Sequence, residues 1–155
     1  MTSYPASIYS PRTKENRSGI EYDETKKTVI FAEDLQKLDD EVVAIETDLI
    51  GGITTIASSA TPTPTGNNLL NTLNITALAE AATFAAPSGT PRNSNRLIIR
   101  IKDNGTARGL SWNGIYRALE FALPTTTVLG KVLYLGFAYN SQDTKWDLLA
   151  INQEA

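Results

Sequence analysis

The 155 residues include no histidine and no cysteine. Zinc clusters, thiol nucleophiles, disulfides, Ser–His–Asp triads and histidine pH switches are thereby excluded. Any acid–base chemistry would fall to carboxylates. Beyond residue 51 these are Glu80, Asp103, Glu120, Asp143, Asp147 and Glu154. A glycosidase needs two carboxyls at a fixed separation in space, and no spacing here marks such a pair. Asp103 and Asp143 fall in turn sequences, where an aspartate commonly accepts from its own backbone. Asp103-Asn104-Gly105-Thr106 is too short for a calcium loop of the EF-hand kind. Asn74-Ile75-Thr76 and Asn104-Gly105-Thr106 match the glycosylation pattern. The opening MTSYPASIYSPRTKENR lacks an apolar leader, so these matches are read as chance, in an unprocessed chain made in a cytosol. The expectation is a protein that is not an enzyme and uses no metal or cofactor.

Aromatic residues offer the other route to function. Trp112, Tyr116, Tyr134, Tyr139 and Trp146 could form a platform for sugar rings, with Asn113, Asn140, Asp143 and Lys145 adding polar contacts. The sharpest form of this glycan-site reading takes Trp112, Tyr116, Asn140, Asp143 and Trp146. The competing reading, favoured because burying an aromatic is strongly stabilising, makes the rings core or subunit interface.

The elements that would position these groups fall into unlike regions. Residues 31–50 carry a net charge of −6, between a 1–30 segment at +1 and a 51–155 segment at +2. Within the acidic block the apolar residues are Phe31, Leu35, Leu38, Val42, Ile45 and Leu49, spaced 4, 3, 4, 3, 4. That is a heptad seam, with Leu35, Val42 and Leu49 at a and Phe31, Leu38 and Ile45 at d. Glu33 and Asp34 oppose the positive end of the helix dipole, and Gly51-Gly52 stops the helix. The spacing predicts an oligomerisation helix over 29–52. The flanking positions are Asp34, Glu41 and Asp48 (g) and Asp39 and Glu46 (e), all acidic, so sister helices would repel along their borders. Either flanking structure holds them together or the borders meet a basic partner. The alternative is one helix packed on its own domain.

Residues 1–28 hold Tyr4, Pro5, Ile8, Tyr9, Pro11 and Arg12 without a period, which reads as an extended arm anchoring the chain in grooves of another protein, or as a disordered tail. Residues 53–68, rich in Thr, Pro and Ser, read as a linker. From 69 to 155 short β-type runs alternate with turn residues. They are 69–77, 81–86, 96–102, 107–112, 116–121, 131–139 and 145–151. Asn104-Gly105 and Asn140–Asp143 mark two hairpins. Such a succession predicts an antiparallel β-sandwich knob of jelly-roll type. No run approaches the length of a membrane span, and a net charge of −3 gives no reason to expect nucleic-acid binding.

The segment SPRTKENRSGIEYDETKKTVIFAEDLQKLDDEVVAIET resembles N-terminal modules of virion appendage proteins of tailed bacteriophages, in which an anchoring peptide precedes a short trimerising helix. ATFAAPSGTPRNSNRLIIRIKDNGTARGLSWNGIYRALEF and LYLGFAYNSQDTKWDLLAINQEA are similar to a β-domain at the ends of phage minor structural and fibre proteins. The resemblance implies a homotrimeric fibre, head-fibre or decoration protein, assembled in the host cytoplasm into the virion. Its arm would be bound to capsid, neck or tail proteins. A tail-fibre adhesin for cell-surface glycans is the alternative, and a carboxylate glycan hydrolase a third reading. The stalk is much shorter than in long tail fibres, which favours compact decoration.

Overall fold

The computed structural model describes residues 32–155 of the chain. The arm positions Tyr4, Pro5, Ile8, Tyr9, Pro11 and Arg12, and Phe31 of the seam, lie outside the described residues, as does the side chain of Leu49. The described residues fall into two units, divided between Glu46 and Thr47. Helix α1 spans Ala32–Ile50. It ends as its sequence requires: Gly51 takes φ +79, the left-handed conformation that closes helices at a glycine. A Cβ at Gly51 would also lie 2.5 Å from the Leu70 carbonyl oxygen, so the chain turns there through space only glycine leaves open.

The second unit is a mixed parallel β-solenoid of about three turns. Its strands are β1 (Gly52–Ile56), β2 (Leu70–Leu78), β3 (Ala82–Phe84), β4 (Arg96–Asp103), β5 (Leu110–Trp112), β6 (Tyr116–Arg117), β7 (Val132–Asn140) and β8 (Lys145–Gln153). One sheet runs β1-β2-β4-β7-β8-β6 and a smaller one pairs β3 with β5. The stacked rungs are parallel, β1 on β2, β2 on β4 and β3 on β5. A β7–β8 hairpin closes the far end, antiparallel to β4, with β6 parallel to β8.

This corrects the antiparallel jelly-roll sandwich expected from the sequence. The expected strand runs carry β1's neighbours, but the turn after Asp103 does not return β5 along β4. Gly105, at φ +88, turns the chain away, and β5 pairs in parallel with β3 instead. The expected hairpin at 140–143 does form, with Asn140 opposite Lys145.

The 53–68 segment is likewise no linker. It supplies β1 and then the first rung of the second wall. Ala60, Pro62 and Pro64 offer carbonyls to the N–H groups of Thr83, Ala85 and Ser88 at 2.8–3.0 Å. A proline has no N–H to give back, so this rung accepts hydrogen bonds on alternate residues while the buried Pro62 and Pro64 rings fill space. Gly66 then passes close over the Trp146 indole, where a Cβ would sit 3.1 Å from Cζ2.

Between the walls lies one core. β2 contributes Leu73, Ile75 and Leu78, and β4 contributes Leu97, Ile99 and Ile101. From β7 come Leu133, Leu135 and Phe137, and from β8 Trp146 and Leu148. Alternation sends those of β4 and β7 inward and leaves their neighbours on the outer face. β2 is broken by a bulge between Ile75 and Leu78, and β8 buries Trp146, Asp147 and Leu148 in succession. Buried amides tie the rungs: Asn71 donates to the Asn68 and Arg96 carbonyls and accepts from the Asn68 N–H, and Asn95 donates to the Gly66 carbonyl.

Candidate functional site

Helix α1 presents its seam to solvent. Leu35, Leu38, Val42 and Ile45 are 42–58% exposed, with Val43 beside them at 53%. A core residue of this type gains about 1.5–3 kcal/mol by leaving water, and a short helix draws most of its stability from such packing. Among the described residues nothing buries the seam. Its acidic border residues Asp39, Glu41 and Glu46 are exposed as well.

The aromatic residues proposed for glycan binding are mostly inside. Trp146 is 0% exposed and Tyr116 5%. Trp112 stacks on Phe84 at 4.2 Å between ring centroids and donates its indole N–H to the Pro124 carbonyl at 2.7 Å. The Tyr116 hydroxyl donates to the Ala85 carbonyl at 2.9 Å, and burial pushes its pKa well above that of an ordinary tyrosine. Trp146 and Tyr116 are buried in the core, and the partly buried Trp112 has one face covered by Phe84. Tyr139 packs partly buried against Trp146.

Asn140 and Asp143 belong to a brace rather than a ligand site. Arg117 grips both Asp147 oxygens, Nε to Oδ1 at 2.6 Å and Nη2 to Oδ2 at 2.9 Å, and reaches Asp143 through Nη1 at 2.8 Å. The Asn140 amide donates to Asp143. These bonds pin β6 to β8 and to the hairpin turn, a bidentate geometry that arginine alone supplies. The Arg117 hydrogen bonds hold the Asp147 carboxyl below its usual range, against the opposing effect of its burial.

Other carboxylates are also occupied structurally. Asp103 accepts from the Gly105 and Gly130 N–H groups and from the Thr127 hydroxyl at 2.9–3.0 Å. Burial pushes its pKa up, yet these hydrogen bonds, that from Gly130 foremost, and the Arg108 charge outweigh it and leave the carboxyl below the usual range. Glu80 accepts from Ser58, and Glu154 from the Val132 N–H. Among the described residues no group of three potential metal ligands comes together.

Tyr134, one of the aromatic residues considered for sugar rings, stands on the outer face of the large sheet in a row that sequence spacing alone does not assemble. Thr55, Asn74, Arg100, Tyr134 and Asn152 stand in register across five strands. Arg100 donates to the Asn74 side-chain oxygen through Nη1 at 2.8 Å and to the Tyr134 hydroxyl through Nε at 3.1 Å. Tyr134 is 46% exposed. A shallow pocket of about 300 Å³ is lined by Arg100, Val132, Tyr134, Asn152, Gln153 and Glu154. The signal was the strand phase: with Leu133, Leu135 and Phe137 inward, Tyr134 must point outward.

No family model, curated protein or solved structure matches the chain. No described helix is long and apolar enough to cross a membrane.

Proposed function

We propose that the chain is a structural protein of a tailed-bacteriophage particle, a homotrimeric fibre or decoration protein. Residues 1–28 attach it to capsid, neck or tail, α1 joins it to two sister copies, and the solenoid is displayed as the body. The exposure of Leu35, Leu38, Val42 and Ile45 along one heptad stripe carries this reading. These side chains have the spacing of a coiled-coil seam, and a trimer would bury them.

The solenoid supports a display role because its buried polar groups and its closing hairpin are largely satisfied within one chain. It has its own core and does not draw on the seam residues for it. The assignment to a phage particle leans on the resemblance of SPRTKENRSGIEYDETKKTVIFAEDLQKLDDEVVAIET to appendage modules. Immunogold labelling of the C-terminal residues on particles purified from cells that encode the chain tests it. Gold at a fixed position on intact particles is expected, and a chain confined to the soluble fraction would refute the virion role. A second reading, a glycan-binding adhesin, is favoured by the exposed Tyr134 beside Arg100.

A further inference from the structure

We infer that the outer face of the solenoid carries a subsite for one neutral sugar ring, built from Tyr134, Arg100, Asn152, Gln153 and Glu154. It lies within a single chain and so does not rest on the trimer.

Three observations converge on this ligand. The pocket, at about 300 Å³, stands at the small end of the ~300–1,000 Å³ usual for small-molecule sites, which suits one ring held against a surface. Tyr134 is 46% exposed, with the Arg100 guanidinium over its ring at 5.8 Å from the centroid, so a pyranose would lay its C–H groups on the opposite face. The polar groups around it are of both kinds: Arg100 and the amides of Asn152 and Gln153 donate, while the amide oxygens and Glu154 accept. Sugar hydroxyls, each donor and acceptor at once, need that mixture.

The charge decides against an acidic ligand. The Arg100 cation and the Glu154 carboxylate line the same pocket and cancel. Arg100 is moreover already fixed by its bonds to Asn74 and the Tyr134 hydroxyl, so its Nη2 is held in place for a ligand rather than collapsing onto it. Glu154 is fixed in turn by the Val132 N–H at 3.0 Å. The residue two beyond Tyr134 on its outward side is Gly136, which puts no side chain beside the ring. This subsite is separate from the possible one at Trp112, Tyr116 and Trp146, because Tyr134 faces outward from β7 whereas Tyr116 and Trp146 are buried.

The test is affinity gel electrophoresis of the full chain through neutral polysaccharides (dextran, mannan, galactan) and an acidic one, polygalacturonate. Retardation by at least one neutral polymer is expected. Tyr134→Ala should weaken it about tenfold, the loss of one ring contact, and Tyr134→Phe by no more than about threefold. Asn152→Ala, an exposed position, should weaken it without altering the unfolding profile and covers the case in which Tyr134→Ala fails to fold. Retardation of a chain that proves monomeric would support the subsite while refuting the trimer. Passage unhindered through every neutral polymer, retardation by polygalacturonate alone, or equal retardation of wild type, Tyr134→Ala and Asn152→Ala would overturn it. Dissociation of the oligomer by Tyr134→Ala would also overturn it, reassigning the face to contact between copies.

Discussion

Helix α1 and the solenoid core are built from the same kinds of side chain, with opposite fates. In the solenoid Leu73, Ile75, Leu97, Ile99 and Leu135 are at most 1% exposed. In the helix Leu35, Leu38, Val42 and Ile45 keep 42–58% of their surface in water. The difference follows from geometry. A coiled ribbon faces its own next turn, so every inward residue meets its counterpart one rung away. A single described helix has no next turn, and on the proposed reading its stripe is covered by sister copies of the chain. One region has its own core, and the other would gain one by association.

The comparison breaks most visibly at the seam. Leu38→Asp with Ile45→Asp should convert the oligomer wholly to monomer by light scattering. The melting temperature should then no longer depend on protein concentration, while the solenoid's circular dichroism is retained. Within the core, Trp146→Ala should cost about 3–5 kcal/mol in denaturant unfolding, because an indole with 0% exposure leaves a cavity between the rungs. Oligomer mass should be unaffected as long as the body stays folded. At the junction, Gly51→Ala should cost about 1–3 kcal/mol, since φ +79 is strained for alanine and its Cβ meets the Leu70 carbonyl.

Acid should also separate the regions. Asp103 and Asp147 have folded pKa values lowered from the ordinary carboxylate value. The unfolded chain therefore binds their protons more readily. Their stabilisation is present in full above about pH 4–5 and is lost as the pH falls through the folded values. Asp103→Asn with Asp147→Asn should remove much of that dependence from an acid titration of the body. Smallest of all, raising salt from 0.05 to about 0.5 M should tighten association several-fold, by screening the acidic Asp39, Glu41 and Glu46 borders of adjoining helices. Sedimentation equilibrium would read it.

Much of the local structure was legible. The 4-3-4-3-4 spacing marks the helix, Gly51 its end, and the β-type runs between turn residues mark β2, β4, β7 and β8. Pairing was not legible, and the reason is physical. Buried parallel sheets usually read as continuous apolar runs because both faces are covered. A solenoid buries only one face, so β2 and β4 alternate like antiparallel strands. Nor did a fixed repeat betray it: Gly52 stacks on Asn71, 19 residues on, whereas Leu70 stacks on Arg96, 26 on.

Composition misled at 53–68. The Thr-Pro-Thr-Pro run looks like a linker, yet its carbonyls are what the next rung needs. The outer-face site was half legible. Strand phase puts Tyr134 outside, but only the β2–β4–β7–β8 order brings Asn74, Arg100 and Asn152 into line with it.

The most direct measurement is the solution mass of the intact chain by sedimentation velocity across a range of concentrations. Burial of the α1 stripe by sister copies requires a species of three times the 16.8 kDa chain mass. A stable monomer at every concentration would contradict it.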